Sequence, residues 1–217
     1  MSQALVPAPT AVVAHFQRHT RLSVRQRKRW LEILLSFEAR NNYDVFDEDQ
    51  MPVLRVEEQG SGVLAFFKRI FLGPFRPFTA HVVDLASQGV LMAVHRPFRF
   101  FFHRVDVVGP GGEPIGSIQR RWSWLRRIYT VYDAGGGEVA TLFGPILRPW
   151  TFEVHLPGEA VEVGMIQKRW SGMLKEMFTD ADNFWVELDR IQDPALRALL
   201  FSATVLIDVV HFERAKG

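Results

Sequence analysis

The sequence of 217 residues contains no cysteine. Disulfide bonds and thiol catalysis are therefore excluded, and a reducing compartment is favoured. An excess of charge of either sign is also missing, because the formal net charge is only +2. This value is too small to predict a nucleic-acid partner, so any basic surface has to be local.

The chain also lacks the short motifs of common enzymes. It has no Gly-x-Ser-x-Gly, no Walker loop and no His-Glu-x-x-His. The glycines at 135–137 are not followed by Lys-Ser or Lys-Thr, so they do not predict a phosphate site. These motifs therefore give no reason to predict an enzyme.

The amino-terminal residues 1–22 are predicted to form a flexible tail, because prolines and scattered small residues dominate them. Residues 1–20 show no charged start followed by an apolar stretch, so no signal peptide is expected. His15 and His19 have the i, i+4 spacing that can bind a metal on a helix. No third ligand is near in sequence, and a solvated helix face is the favoured interpretation.

A helix is predicted over residues 23–40, with Ser23 as its N-cap. Its first half is basic and its second half carries an apolar face that includes Trp30, Leu34 and Phe37. Such a helix could lie at a membrane interface, but packing against the domain with its cations in water is favoured.

From residue 43 to 192 the pattern changes to short alternating segments separated by Gly, Asp and Pro turns, which predicts successive β-hairpins. An internal repeat supports this interpretation. The segment Gly116–Ser123 (GSIQRRWS) matches Gly164–Ser171 (GMIQKRWS), so two hairpins are predicted to end in the same type of strand.

The segment 194–212 predicts a helix of unusual character. Residues 198–207 carry no charge, and apolar side chains point in every direction around the helix axis. Such a helix has to be buried in a core or in a bilayer. The charge-free run is short for a membrane span, so a closed antiparallel barrel around this helix is favoured, which also removes free sheet edges.

Five segments together resemble the phospholipid scramblase family, whose barrel is like that of the Tubby C-terminal domain. They are LEILLSFEARNNYDV (31–45), GPFRPFT (73–79), HRPFR (95–99), GMIQKRWSGMLKEMFTDADNF (164–184) and LIDVVHFE (206–213). The resemblance implies a single mostly-β domain over residues 23–217, a Tubby-like closed antiparallel barrel of about twelve strands around the C-terminal helix.

The resemblance also implies a function. It implies ATP-independent, bidirectional, calcium-modulated movement of phospholipids between leaflets, by a cytoplasmic protein peripheral to the inner face of the plasma membrane. A non-transporting lipid-binding or adaptor barrel is the alternative. Anionic lipids are the expected partner and nucleic acid is not, and the oligomeric state stays open.

Membrane-anchored members of the family carry acylated cysteine clusters, which this chain replaces with phenylalanines beside cations. Exposed aromatic rings next to cations suit a membrane interface, although the same rings could belong to the barrel core. The predicted membrane-contact residues are Phe66, Phe67, Lys68, Arg69, Phe71, Arg96, Phe98, Arg99, Phe100, Phe101, Phe102 and Arg104.

The family's calcium segment corresponds to residues 180–191, DADNFWVELDRI. Asp180 and Asp182 are the only well-placed carboxylates of an EF-hand-like loop, so any calcium binding should be weak. Phe184, Val186 and Leu188 alternate with polar neighbours, which favours a strand over a calcium loop. No cofactor is predicted with certainty.

A basic hairpin contains Arg120, Arg121, Arg126 and Arg127 together with Trp122 and Trp124. It could bind phosphate or a nucleic-acid backbone. A solvated face with Trp122 packed against the domain is the favoured interpretation.

Overall fold

The structure is a computed structural model, and it describes residues 8–26, 42–59, 77–98, 103–124, 126–169 and 183–211. Within these ranges two helices and twelve strands form. Their bounds are α1 (Thr10–Arg18), β1 (Arg21–Gln26), β2 (Asn42–Phe46), β3 (Pro52–Gln59), β4 (Phe78–Asp84), β5 (Gly89–Arg96), β6 (Arg104–Val108), β7 (Pro114–Arg121), β8 (Arg127–Asp133), β9 (Glu138–Gly144), β10 (Thr151–His155), β11 (Gly164–Arg169), β12 (Asn183–Glu187) and α2 (Pro194–His211).

The strands form one closed antiparallel barrel in which each strand pairs with its neighbours in sequence. The barrel closes through β1, which pairs with β2 on one side and with β12 on the other. Inward and outward side chains alternate, as in β2, where Tyr43 and Val45 are buried between half-buried neighbours. The prediction of a closed antiparallel barrel of about twelve strands is confirmed.

Helix α2 fills the barrel. Every side chain from Leu196 to Asp208 is buried, whichever way it points from the helix axis, and α2 contacts β6, β7 and β8. Two hydroxyl groups inside this helix are satisfied locally: the Ser202 hydroxyl donates to the Ala198 carbonyl at 2.8 Å, and the Thr204 hydroxyl donates to the Phe201 carbonyl at 2.6 Å. The predicted core helix over 194–212 is therefore found as α2.

None of the helices in the described ranges combines the length and the apolar character that crossing a membrane requires.

The start of α2 follows ordinary capping chemistry. The Asp193 carboxylate accepts a hydrogen bond from the Ala195 N–H at 2.9 Å, which satisfies one of the free N–H groups of the first turn. Pro194 occupies the first helical position, where its missing N–H and fixed φ are compatible with a helix. The helix therefore begins directly after the turn that follows β12, and from there the chain enters the barrel interior.

Helix α1 packs against α2 at the end of the barrel where α2 begins. The rings of Phe16 and Phe201 lie 5.7 Å apart. The buried Arg197 side chain donates from Nη1 to the carbonyls of Phe16 at 2.9 Å and Gln17 at 3.3 Å, and from Nε to the carbonyl of Ile191 at 2.7 Å. Arg197 thus satisfies carbonyls in the last turn of α1, a favourable place for a cation.

The amino terminus differs from the sequence-based prediction. Residues 10–18 form α1 within the predicted flexible tail, and Ser23 lies in strand β1, so the predicted helix start at Ser23 is wrong. The physical reason is that Leu22 and Val24 are buried in the barrel, where β1 pairs with the distant strand β12. The rest of the predicted helix, residues 27–40, lies outside the described residues.

The repeated segment falls on equivalent strands, as predicted: residues 116–121 belong to β7 and residues 164–169 to β11. The repeated glycine has the same role in both. A Cβ added to Gly116 would overlap the Tyr132 carbonyl and meet Leu199 of α2, and a Cβ added to Gly164 would lie 2.7 Å from the Glu187 carbonyl. Both positions therefore require the absence of a side chain for close backbone approach.

Candidate functional site

The two ends of the barrel are chemically different, and the antiparallel meander determines which strand termini lie at each. We call the end covered by α1 the helix end; it contains the turns that join β2 to β3 and β4 to β5. We call the other end the loop end. It is bounded by the strand termini Gln26, Gln59, Arg96, Arg121, Gly144 and Arg169.

The predicted membrane-contact residues belong, by position in the chain, to two connections of the loop end. One connection joins Gln59 to Phe78, and the other joins Arg96 to Arg104. The described members of the set are Arg96, Phe98 and Arg104. The other predicted contacts, namely Phe66, Phe67, Lys68, Arg69, Phe71, Arg99, Phe100, Phe101 and Phe102, lie outside the described residues.

Arg96 is placed inside the protein. It is 3% exposed, its Nη2 donates to His103 Nδ1 at 2.9 Å, and its guanidinium lies 5.9 Å from the centre of the Phe78 ring. This arrangement ties the two ends of the β5–β6 connection together. A lipid contact by Arg96 stays a prediction that would require this guanidinium to leave its present contacts.

Phe98 and Arg104 are more accessible. The Phe98 ring is 43% exposed at the loop end. Arg104 donates from Nε to Asp106 Oδ1 at 2.7 Å. Arg104 and Asp106 line an open groove of about 440 Å³ together with Gln119 and Tyr132. Of the three described residues, Phe98 is thus the one that presents an apolar surface to solvent.

The predicted calcium segment divides into two parts. Asp180 and Asp182 lie outside the described residues, whereas residues 183–187 form β12 with Phe184 and Val186 buried. The strand predicted from the alternating pattern is therefore found over these residues. Farther along, Asp189 forms an ion pair with Arg21 at 2.5 Å, so this carboxylate joins the end of β12 to the start of β1.

At the helix end, the fold brings together a group that could hold a metal ion among the described residues. His19, Asp47 and Glu48 each offer a ligand atom within 4.8 Å of the others. Sequence spacing had supplied no third ligand for His19; the turn between β2 and β3 supplies two carboxylates.

Much of this group already has a structural role. Glu48 Oε1 accepts the N–H groups of Thr20 at 2.8 Å and Arg21 at 3.0 Å. Burial raises the pKa of the Glu48 carboxyl, but the backbone and hydroxyl hydrogen bonds outweigh this effect and lower the pKa to about 2. Glu48 therefore stays ionised and connects the β2–β3 turn to the start of β1.

His15, the other member of the predicted histidine pair, lies on the buried face of α1. Its ring lies 4.8 Å from the His19 ring, and its Nδ1 lies 3.6 Å from Asp84 Oδ1. Burial is the largest cause that lowers the pKa of His15, the nearby His19 and Arg18 also lower it, and Asp84 opposes them, so that the pKa falls from 6.5 to about 4. The buried side of α1 thus holds a neutral imidazole rather than a solvated helix face.

The basic hairpin joins β7 to β8 at the loop end, and it exposes both of its tryptophans. Trp122 is 69% exposed and Trp124 is 85% exposed, so the favoured interpretation, in which Trp122 packs against the domain, is wrong. The β9–β10 connection also exposes Ile146 and Leu147, which the sequence-based interpretation had missed. An available signal was their position between Pro145 and Pro149, where a strand cannot readily continue.

These features define the class of protein as a closed antiparallel barrel filled by its own C-terminal helix. A sequence profile described as Scramblase matches residues 1–214 of the chain. The chain therefore belongs to the scramblase family.

Several curated proteins are similar along most of this chain. Human phospholipid scramblase 2 is 29% identical over 205 residues, which cover 89% of this chain and 67% of that protein. Human phospholipid scramblase 1 is 29% identical and mouse phospholipid scramblase 1 is 30% identical, with 88% and 89% of this chain and 62% and 61% of those proteins covered. The chain thus spans about two thirds of the length of these relatives. No solved structure matches it.

Proposed function

We propose that this protein moves phospholipids between the two leaflets of a membrane in both directions and without ATP, by physical translocation rather than covalent chemistry. The observation that carries the proposal is the family match over residues 1–214. The names of its relatives, phospholipid scramblases 1 and 2, supply the substrate class. The proposed location is cytoplasmic and peripheral at the inner face of the plasma membrane, on anionic lipid.

The test is reconstitution of the purified full chain into liposomes that carry labelled phospholipid in both leaflets. Chemical quenching of the outer label leaves about half of the signal when lipid does not cross. Continued loss of the remaining signal without ATP supports translocation. A stable half signal in liposomes that have bound the protein contradicts translocation.

A non-transporting lipid-binding or adaptor barrel is the second candidate. The observation that favours it is the burial of α2 on all sides from Leu196 to Asp208, because a helix enclosed by the barrel cannot span a bilayer at the same time. Binding to liposomes without equilibration of the label would favour this candidate over translocation.

The phenylalanine clusters are proposed to replace acyl anchors at the membrane. Each Phe that enters the interface would contribute on the order of 1–2 kcal/mol from its apolar area. Replacing Phe71, Phe100, Phe101 and Phe102 together by Ser should then weaken liposome binding by orders of magnitude with little change in melting temperature. A large loss of thermal stability without a selective loss of binding would assign these rings to the core.

Calcium modulation is also part of the proposal, with Asp180 and Asp182 as the candidate ligands. Because two carboxylates form a poor calcium loop, we expect affinity on the order of millimolar, with further ligands supplied by lipid phosphate. Calorimetry with calcium in the absence of lipid tests this expectation. Micromolar affinity that disappears in Asp180→Ala would show a complete protein site instead.

A further inference from the structure

Two connections of the loop end are neighbours in the structure. The β7–β8 turn spans residues 122–126, and the β9–β10 connection spans residues 145–150. Arg127 at the start of β8 pairs with Gly144 at the end of β9, and its Nη1 donates to the carbonyl of Pro149. The guanidinium of Arg126 lies 5.1 Å from the centre of the Phe143 ring on β9. These contacts bring the two connections together.

Four large apolar side chains in these two connections are more than half exposed, and Trp150 beside them is 38% exposed. Trp122 and Trp124 are 69% and 85% exposed, and their rings meet edge to face with centroids 5.7 Å apart. Ile146 and Leu147 in the adjacent connection are 57% and 94% exposed. Contiguous exposed apolar side chains mark interaction sites on soluble domains, whereas single ones need no explanation. We call these four residues the Trp-Leu patch.

The charged residues within the two connections that carry the Trp-Leu patch are all arginines. Residues 119–127 and 144–151 contain arginines and no Asp or Glu. Arg121 and Arg126 are exposed beside the tryptophans. Arg148 follows Leu147 directly, its side chain is 71% exposed, and its Nη1 lies 3.9 Å from Glu153 Oε1. An anionic partner is therefore the complementary one.

We propose that the Trp-Leu patch and its arginines dock this barrel onto an anionic phospholipid bilayer, with the loop end facing the membrane. Tryptophan rings are amphipathic and favour the headgroup layer, and aliphatic side chains such as Leu147 can enter the acyl region below it. Arginines at the rim attract anionic headgroups. The proposal rests on the proposed membrane function and adds the face and the residues by which the protein meets lipid.

A nucleic acid would match the arginines and could stack on the tryptophans, but it would leave Ile146 and Leu147 unused. A bilayer uses all four apolar side chains together with the cations. The bilayer is therefore the occupant that accounts for the whole surface. The connection that contains the exposed Phe98 begins and ends at the same barrel end, which agrees with this orientation.

The experiment measures flotation of the full chain with phosphatidylcholine vesicles that contain or lack phosphatidylserine. Trp122→Ser with Trp124→Ser, and separately Leu147→Ser, should each weaken binding at least tenfold. Changing Arg121, Arg126 and Arg148 together to Gln should weaken binding about a hundredfold on anionic vesicles and little on neutral ones.

Matched controls come from the helix end, where Val161 is 65% and Met51 is 60% exposed. Val161→Ser, Met51→Ser and Arg190→Gln should leave flotation unchanged. Circular dichroism melts of all variants verify folding, because exposed positions should leave the melting temperature within a few degrees of the wild type. Brominated lipid should quench the fluorescence of the wild type, and the loss of Trp122 and Trp124 should abolish most of this quenching.

The docking face and the proposed lipid movement fail with different experimental results. Unchanged flotation of the patch variants, with label equilibration intact in the wild type, overturns the docking face and leaves lipid movement standing. Patch-dependent flotation without label equilibration supports the docking face and contradicts lipid movement. Binding of a single-stranded oligonucleotide without binding of either vesicle type would overturn the docking face in favour of a nucleic-acid surface.

Discussion

The hydroxyl of Tyr43 donates a hydrogen bond of 2.5 Å to Asp208 Oδ2, and both residues are almost completely buried. Tyr43 belongs to β2 near the loop end of the barrel, and Asp208 lies near the C-terminal end of α2. The bond therefore joins the far end of the central helix to the barrel wall. A carboxylate in an otherwise apolar stretch thus has a structural partner 165 residues away along the chain.

Replacing Tyr43 by Phe should lower the free energy of unfolding by about 1.5–3 kcal/mol, because a buried hydrogen bond to a carboxylate is lost while the ring still fills its space. Urea denaturation measures the change. Tyr132→Phe on β8 is the matched control, since Tyr132 is only half-buried, and it should cost less than about 0.5 kcal/mol. Equal effects of the two substitutions would show that the Tyr43–Asp208 bond adds nothing to stability.

Gly116→Ala should destabilise the barrel by about 1–3 kcal/mol. The new Cβ would overlap the carbonyl oxygen of Tyr132 and lie 2.8 Å from Leu199 Cδ1, so both the sheet and α2 would have to move. Thermal melts compare it with Gly89→Ala, whose Cβ would meet only the Ser87 hydroxyl at an ordinary 3.5 Å. A Gly116→Ala protein as stable as Gly89→Ala would mean that α2 packs less closely against β7.

Arg197→Met should detach α1 from the barrel. The substitution removes the donors to the Phe16 and Ile191 carbonyls. Because these buried acceptors lose their hydrogen bonds, the free energy of unfolding should fall by about 2–4 kcal/mol. Hydrogen exchange should accelerate in α1 much more than in β8. Arg190→Met, at an exposed position, is the control and should leave both rates unchanged. Uniform acceleration throughout the chain would contradict a specific role for Arg197 at α1.

His15 should make stability depend on pH. Its pKa is lowered in the folded protein to about 4 from an ordinary value of 6.5, so between these values the unfolded chain binds the proton and the folded protein does not. Stability is therefore complete above about pH 6.5, falls as the pH decreases towards 4, and loses roughly 3 kcal/mol at most from this residue.

Urea denaturation at several pH values tests the His15 prediction. His15→Leu should flatten the slope between pH 6.5 and 4, since His19, Asp84 and Arg18 remain while the titrating imidazole is removed. The lowered pKa of Glu48, about 2 against 4.5, acts at lower pH, where protonation removes its contribution as the pH falls. A slope that persists in His15→Leu down to pH 5 would assign the effect to another group.

Much of the barrel could be predicted from the sequence, because the hydrophobic and turn patterns of this chain are compatible with few structures. An apolar surface on every side of residues 198–207 requires enclosure, and α2 is enclosed. Glycine- and aspartate-rich turns between alternating segments specify hairpins, and the strands from β2 to β12 form a simple meander. Strand β1 was missed because its pairing with β12 joins residues more than 150 positions apart, and local pattern carries little information about such a contact.

The candidate site depended much more on the tertiary structure. Arg96 and Trp122 both occur in basic and aromatic stretches, yet Arg96 is 3% exposed and Trp122 is 69% exposed. Likewise, His19 meets Glu48 only because α1 leads into β1 beside the β2–β3 turn. The sequence by itself determined the barrel, its central helix and the family. Tertiary structure decided which rings and charges reach the surface, because that depends on neighbours brought together by closure of the sheet.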